Sequence, residues 1–154
     1  MKWFKNFFPD YSRLPKSGKF LAWLTFLQGM KWPLELMFQA VVAPQTLVWW
    51  NILILLALSG FTLSAAWNAF KYRITGFKQM LIVYGLGLIQ IYRADGFFFD
   101  LSGVLRFAFS FGSNGNSTSI NFLAILFIWL AVKNIQHIKN QQAAEPRVSS
   151  PEKI

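Results

Sequence analysis

Cysteine is absent from the 154-residue chain, histidine occurs once, and aspartate and glutamate together number six. The lack of cysteine excludes disulfides, a thiol nucleophile and a thiolate metal site, and it says nothing about redox compartment. The scarcity of the other groups leaves little from which to build a catalytic centre. No glycine-rich phosphate loop, metal-ligand spacing or nucleophile motif occurs, and Gly85-Leu86-Gly87 alone is not one. The expectation is a protein that is not an enzyme and carries no cofactor or metal. Charge of any sign is also sparse: 14% of residues, against roughly 25% in a soluble domain. Such a chain lacks the polar material to cover a water-facing surface. With 55% apolar residues, 17 Phe and 7 Trp, it is matched to a bilayer as its solvent.

The net charge of +9 raises nucleic acid as a partner. The distribution of the basic residues argues otherwise, because they cluster just outside apolar segments, as the cytoplasmic flanks of membrane spans do. No nucleic-acid partner is expected. Residues 1–19 combine Lys2, Lys5, Arg13, Lys16 and Lys19 with Trp3, Phe4, Phe7 and Phe8, while Pro9 and Pro15 prevent one long helix. That mixture suits a segment at the lipid headgroups, with a disordered basic tail as the alternative. A basic start before an apolar run also resembles a signal peptide. Lys31, Pro33 and Glu35 interrupt the run, and Pro44 would follow the cut, so the segment is read as retained.

The fold expected is an all-α membrane protein of about four transmembrane helices, spanning about 20–43, 46–70, 77–92 and 120–138. Residues 46–70 carry no charge over 25 positions, where about 20 suffice to cross the hydrocarbon. Trp49, Trp50 and Trp67 stand near its ends, as interfacial belts require. The run at 79–92 is short: 14 helical residues rise only about 21 Å, so it needs Gly76 and Phe77 or a thinned bilayer. Residues 139–154 read as a disordered cytoplasmic tail. If 20–43 spans, Lys2, Lys5, Arg13, Lys16, Lys19, Lys71, Arg73, Lys78, Lys133, Lys139, Arg147 and Lys153 share one side, and Arg93 and Arg106 the other. If it lies in the membrane plane, the split becomes nearly even. Charge bias therefore selects four spans with both termini in the cytoplasm.

Residues 97–111 form an extracytoplasmic interfacial segment. A helix puts Asp100, Ser102, Gly103, Arg106 and Ser110 on one face, with Phe99 and Phe107 as misfits. A strand puts phenylalanines and leucines at most odd positions, with Phe98 and Val104 as misfits. Asn114-Gly115 is a two-residue hairpin turn, across which Thr118, Ile120 and Phe122 continue the alternation. An open sheet edge cannot sit in lipid, so a helix is favoured over a β-hairpin. Asp95 and Asp100, near Arg93 and Arg106, read as solvated or locally paired charges, and His137 as a helix-end residue. Asn116-Ser117-Thr118 fits a glycosylation sequon, which matters only in a eukaryotic secretory pathway.

Lys31 and Glu35 lie four apart near the middle of the first span, and Gln28 and Gln39 extend their face into a polar stripe. Pro33 removes the donor for the Gly29 carbonyl, so a kink is expected. Charges at this depth usually face a bundle interior, a cavity or each other. They can lock the helix into the bundle, or line a path for ions, protons or a small solute. Gly60 and Ser64 make a small-xxx-small pair for close helix packing, with Ala57, Ser59, Ala65, Ala66 and Ala69 nearby. The function expected is a non-catalytic component of a larger membrane complex in a bacterial cytoplasmic membrane. Its partners are the lipid bilayer and other membrane subunits or further copies. A small channel along the first helix and an immunity protein against a membrane toxin are the alternatives.

Overall fold

The computed structural model describes residues 6–42, 49–94, 98–101 and 103–144. Among these residues, α-helices α1 (Lys16–Val42), α2 (Trp49–Phe70), α3 (Ile74–Leu86) and α4 (Phe122–Ala144) accompany a sheet inserted between α3 and α4. The strands are β1 (Ile89–Tyr92), the two-residue β2 (Phe98–Phe99), β3 (Ala108–Ser113) and β4 (Asn116–Asn121), all antiparallel, in the order β2-β1-β4-β3.

Contacts fix the helix directions. Gly29 of α1 meets Leu63 of α2, and the Trp23 and Phe70 rings lie 5.1 Å apart, so α1 and α2 are antiparallel. The α2–α3 turn brings Gly76 against Ala65 and Ala69. The Tyr84 and Phe127 rings meet at a tilt 5.1 Å apart, while Tyr72 hydrogen-bonds Gln141 at the other end, so α3 and α4 are antiparallel. Gly18 against Asn134 closes α1 onto α4. The result is an up-down-up-down bundle in which α2 and α4 run the same way. Its core lies among Leu21, Ala66, Phe77, Met80, Ala131 and Ile138, each fully buried. A 3-10 turn at Pro9–Arg13 pins the N-terminal segment to this core through Phe8, whose ring meets Trp67 edge-on at 4.8 Å.

Two expectations are overturned. The protein is not all-α: among its described residues the interfacial segment 97–111 is no helix, and it contains β2 and most of β3. Asn114 and Gly115 adopt φ of 54° and 79°, the two positive values a type I′ hairpin turn demands, and phenylalanine alternates with small residues along β3. Nor are there about four transmembrane helices. Among the described residues only two helices are long and apolar enough to cross a membrane, over Ile52–Phe70 and Phe122–Ala144. In α1 the apolar run is broken by Lys31 and Glu35. In α3 the helix stops after 13 residues, and Gly87 lies so close to Leu101 that a Cβ would meet its carbonyl oxygen at 2.9 Å. Ile89–Tyr92, expected to finish that span, is strand β1 instead.

At other boundaries α1 starts four residues earlier than expected, and Ile120 belongs to β4. Helix α4 runs through Ala144 and so takes in the start of the expected tail. The first five residues, the link 43–48 and the tail from 145 lie outside the described residues.

Candidate functional site

The polar stripe on α1 is divided by the fold. Gln28 is buried, against the glycine backbone at Gly103, where a Cβ would lie 2.7 Å from its Oε1. Lys31 and Gln39 are partly buried, and Glu35 is exposed. Among the described residues no ion pair joins Lys31 to Glu35. The cavity beside Gln28, which Tyr84, Asn121 and Phe127 also line, has about 10 Å3, room for a single water. The bond that Pro33 removes is replaced from α2: Ser59 Oγ donates to the Gly29 carbonyl at 2.7 Å, and the helix continues through the proline.

Gly60 and Ser64 stand on the outer face of α2, with nothing within 4 Å of a Cβ built on Gly60. The close helix approach inside the bundle uses other small residues: Gly29 with Ser59, and Gly76 with Ala65 and Ala69.

Thr25, Tyr84, Gln90 and Ser119 were not singled out in the sequence. Thr25 Oγ1 donates to the Leu21 carbonyl at 2.7 Å and shares a hydrogen bond of 2.8 Å with the Tyr84 hydroxyl. Across the sheet, Gln90, Ser119 and Ser110 form one row. Gln90 and Ser119 are buried, and the two serine hydroxyls lie 2.6 Å apart. Among the described residues the Gln90 carboxamide has no hydrogen-bond partner for either polar atom. On the opposite face Phe109, Phe111 and Ile89 are 67%, 52% and 47% exposed. The centre of the sheet buries the polar Gln90 and Ser119 and exposes apolar residues on its other face, the reverse of a sheet that faces water. The signal was present in the alternation of residues 108–121, which identifies two faces but not which one turns outward.

Near β1 the expected charge pairing takes a definite form. Tyr92 donates to Asp100 Oδ2 at 2.5 Å, and Arg106 approaches the same oxygen at 3.6 Å. Burial first, and then the Asp100 carboxylate, raise the Tyr92 phenol above its ordinary pKa of 10.0. Asp95 lies outside the described residues. An open concavity of about 770 Å3 flanks the outer end of the sheet, lined by Arg93, Phe111 and Ser117 among others. Among the described residues no three His, Asp or Glu side chains gather as a metal site would need.

The bundle end opposite the sheet is basic and aromatic. Lys71 lies over the Trp67 ring at 5.0 Å, Lys133 over Trp129 at 5.2 Å, Lys19 over Tyr11 at 5.2 Å and Arg13 over Tyr72 at 4.9 Å. Beyond the core, the far halves of α1 and α2 form a two-helix arm. There Met37, Phe38, Trp49 and Trp50 are 68%, 67%, 78% and 74% exposed. The sequence matches no protein-family model, and neither a curated protein nor a solved structure is significantly similar to it.

Proposed function

We propose that this protein is a non-catalytic integral membrane component that acts by associating with other membrane subunits. Its place is a bacterial cytoplasmic membrane, with the basic end and both termini on the cytoplasmic side. The observation that carries the reading is the inverted polarity of the surface. Phe107 just before β3, Phe109 and Phe111 on it, and Met37, Phe38, Trp49 and Trp50 on the arm point outward, while Gln90, Ser119 and Asn121 are buried. In water so much apolar exposure is a liability, and in lipid or against a membrane partner it is the lower free-energy arrangement. Two further features support it. In each candidate span only 28% of the apolar window is buried inside the protein, leaving the rest for lipid or partners. The four cation–aromatic pairs ring one end, where amphipathic side chains anchor at a headgroup layer.

A channel along α1 gains no comparable support, because the stripe opens onto the surface at Glu35 and the cavity at Gln28 has room for only one water. Membrane fractionation followed by alkaline carbonate extraction tests the membrane part of the reading. The protein is expected to stay in the pellet, and release into the supernatant would falsify it. Purification in mild detergent tests the association part: other membrane subunits or further copies should accompany the chain, and a lone stable monomer counts against it.

A further inference from the structure

We propose that β3 is a dimerisation edge, pairing antiparallel with β3 of a second copy about a two-fold axis at Ser110. The proposal deepens the functional reading by naming a partner, and it rests on that reading for its apolar setting.

The geometry begins with the turn. A two-residue loop at Asn114-Gly115 makes Ser113 and Asn116 a hydrogen-bonded pair, and every second residue of β3 then turns its N–H and carbonyl toward β4. The same parity holds at the other end, where the Phe122 N–H donates to the Phe107 carbonyl at 2.8 Å. Phe109 and Phe111 therefore bond inward, and Ala108 and Ser110 turn their backbone groups outward. Strand β3 ends the strand order, and among the described residues nothing takes those groups. Unpaired backbone groups in or beside hydrocarbon cost several kcal/mol each, and lipid cannot satisfy them. Natural edges are usually guarded by lysine, proline or inward-pointing charges, and residues 107–113 contain none of these.

The strand is also complementary to itself. Phe107 to Gly112 alternates aromatic and small residues. A two-fold axis at Ser110 sets Ser110 opposite its own copy and Phe109 opposite Phe111 of the second copy, twice. The Phe109–Phe111 pairs occupy the closer, non-hydrogen-bonded sites on the apolar face, where aromatic pairs stabilise most. On the other face Ala108, Ser110 and Gly112 leave room for the approach, and the Ser119–Ser110 row continues into its copy.

Because the chain has no cysteine, one introduced thiol reports a single position. Facing residues of a hydrogen-bonded antiparallel pair have Cα atoms about 5.5 Å apart, within disulfide reach. Ser110→Cys in native membranes should give a disulfide-linked dimer on mild oxidation, at about ten times the yield of Ser113→Cys, whose copies would lie about 20 Å apart. Reduced Ser110→Cys should unfold at the same temperature as the parent, which shows that the edge is intact. In mild detergent Ser110→Lys should convert a dimer to a monomer by light scattering. A monomeric Ser110→Cys, equal cross-linking at both positions, or a dimer that survives Ser110→Lys overturns the proposal, including the case in which another protein's strand occupies the edge. Carbonate extraction of the same membranes separates the two failures. Protein that pellets without cross-linking refutes the edge alone, and protein released into the supernatant refutes the membrane reading.

Discussion

Pro33 has no N–H to return to the Gly29 carbonyl, and the hydroxyl of Ser59 donates to that oxygen from the neighbouring helix at 2.7 Å. The donor arrives because Gly29 has no side chain: a Cβ there would lie 2.8 Å from Leu63 and hold α2 away. Three residues thus act together, one removing a bond, one allowing approach and one restoring the bond across helices. Ser59→Ala leaves a buried carbonyl short of a donor and should destabilise the protein by about 1–2 kcal/mol in SDS or urea unfolding from mild detergent. In a Pro33→Ala background the backbone regains an N–H at position 33 and supplies the missing bond, so the same substitution should lose at least half its effect. Equal losses in both backgrounds would show that Ser59 does not act through Gly29. The missing backbone bond was legible from Pro33 alone. Its replacement was not, because Ser59 lies 30 residues away and no local pattern ties it to Gly29.

At the level of elements, glycine separates packing inside the bundle from packing outside it. A Cβ on Gly76 would collide with the Ala69 backbone nitrogen and lie 2.7 Å from the Ala65 carbonyl oxygen. Neither can step aside without moving α2, so Gly76→Ala should cost about 1–3 kcal/mol. A Cβ on Gly60 meets nothing within 4 Å, so Gly60→Ala should stabilise by about 0.5–1 kcal/mol through helix propensity. Thermal unfolding of the two variants side by side checks both signs, and a stabilised Gly76→Ala would refute the close α2–α3 contact. Small-residue spacing marked α2 as a packing helix in the sequence, and of the positions it named Ser59, Ala65 and Ala69 face inward while Gly60 and Ser64 face outward. Which small positions face inward depends on where α3 lies, and that is long-range information. The uncharged run of α2 and the apolar start of α4 were legible because length and hydropathy are local. The strands were not, since helix and strand templates each left two misfits over residues 97–111, and the type I′ turn was outweighed by an open edge's intolerance of lipid. That intolerance remains and now falls on β3 as a strand seeking a partner. The third span failed at Gly87, where close approach to Leu101 ends the helix and the chain turns into β1.

For the whole molecule, the two candidate spans run in the same direction and lead toward basic residues: Lys71 and Arg73 follow α2, and α4 carries Lys133 at its midpoint and Lys139 nearer its end. The N-terminal turn lies at this end too, because Phe8 packs on Trp67 and Phe70. On the proposed membrane reading, charge bias predicts this end on the cytoplasmic side and the hairpin on the other, since Arg93 and Arg106 are the described basic residues near the sheet. The absence of native cysteine makes this orientation readable with single thiols. Ser113→Cys, beside the hairpin turn, should react with a membrane-impermeant maleimide in intact spheroplasts, whereas Gln142→Cys at the end of α4 should react only after the membrane is permeabilised. Ser113 and Gln142 are both exposed in the fold, so protection of either thiol reports the bilayer rather than burial. Labelling of both before permeabilisation would place the two ends on one side and remove the orientation. The reverse pattern would show that positive charge does not set the direction here. Replacing Lys71, Arg73 and Lys139 together by glutamine should weaken the bias and increase early labelling of Gln142→Cys. Arg13, Lys16, Lys19 and Lys133 remain at the same end, so inversion should be partial and not complete.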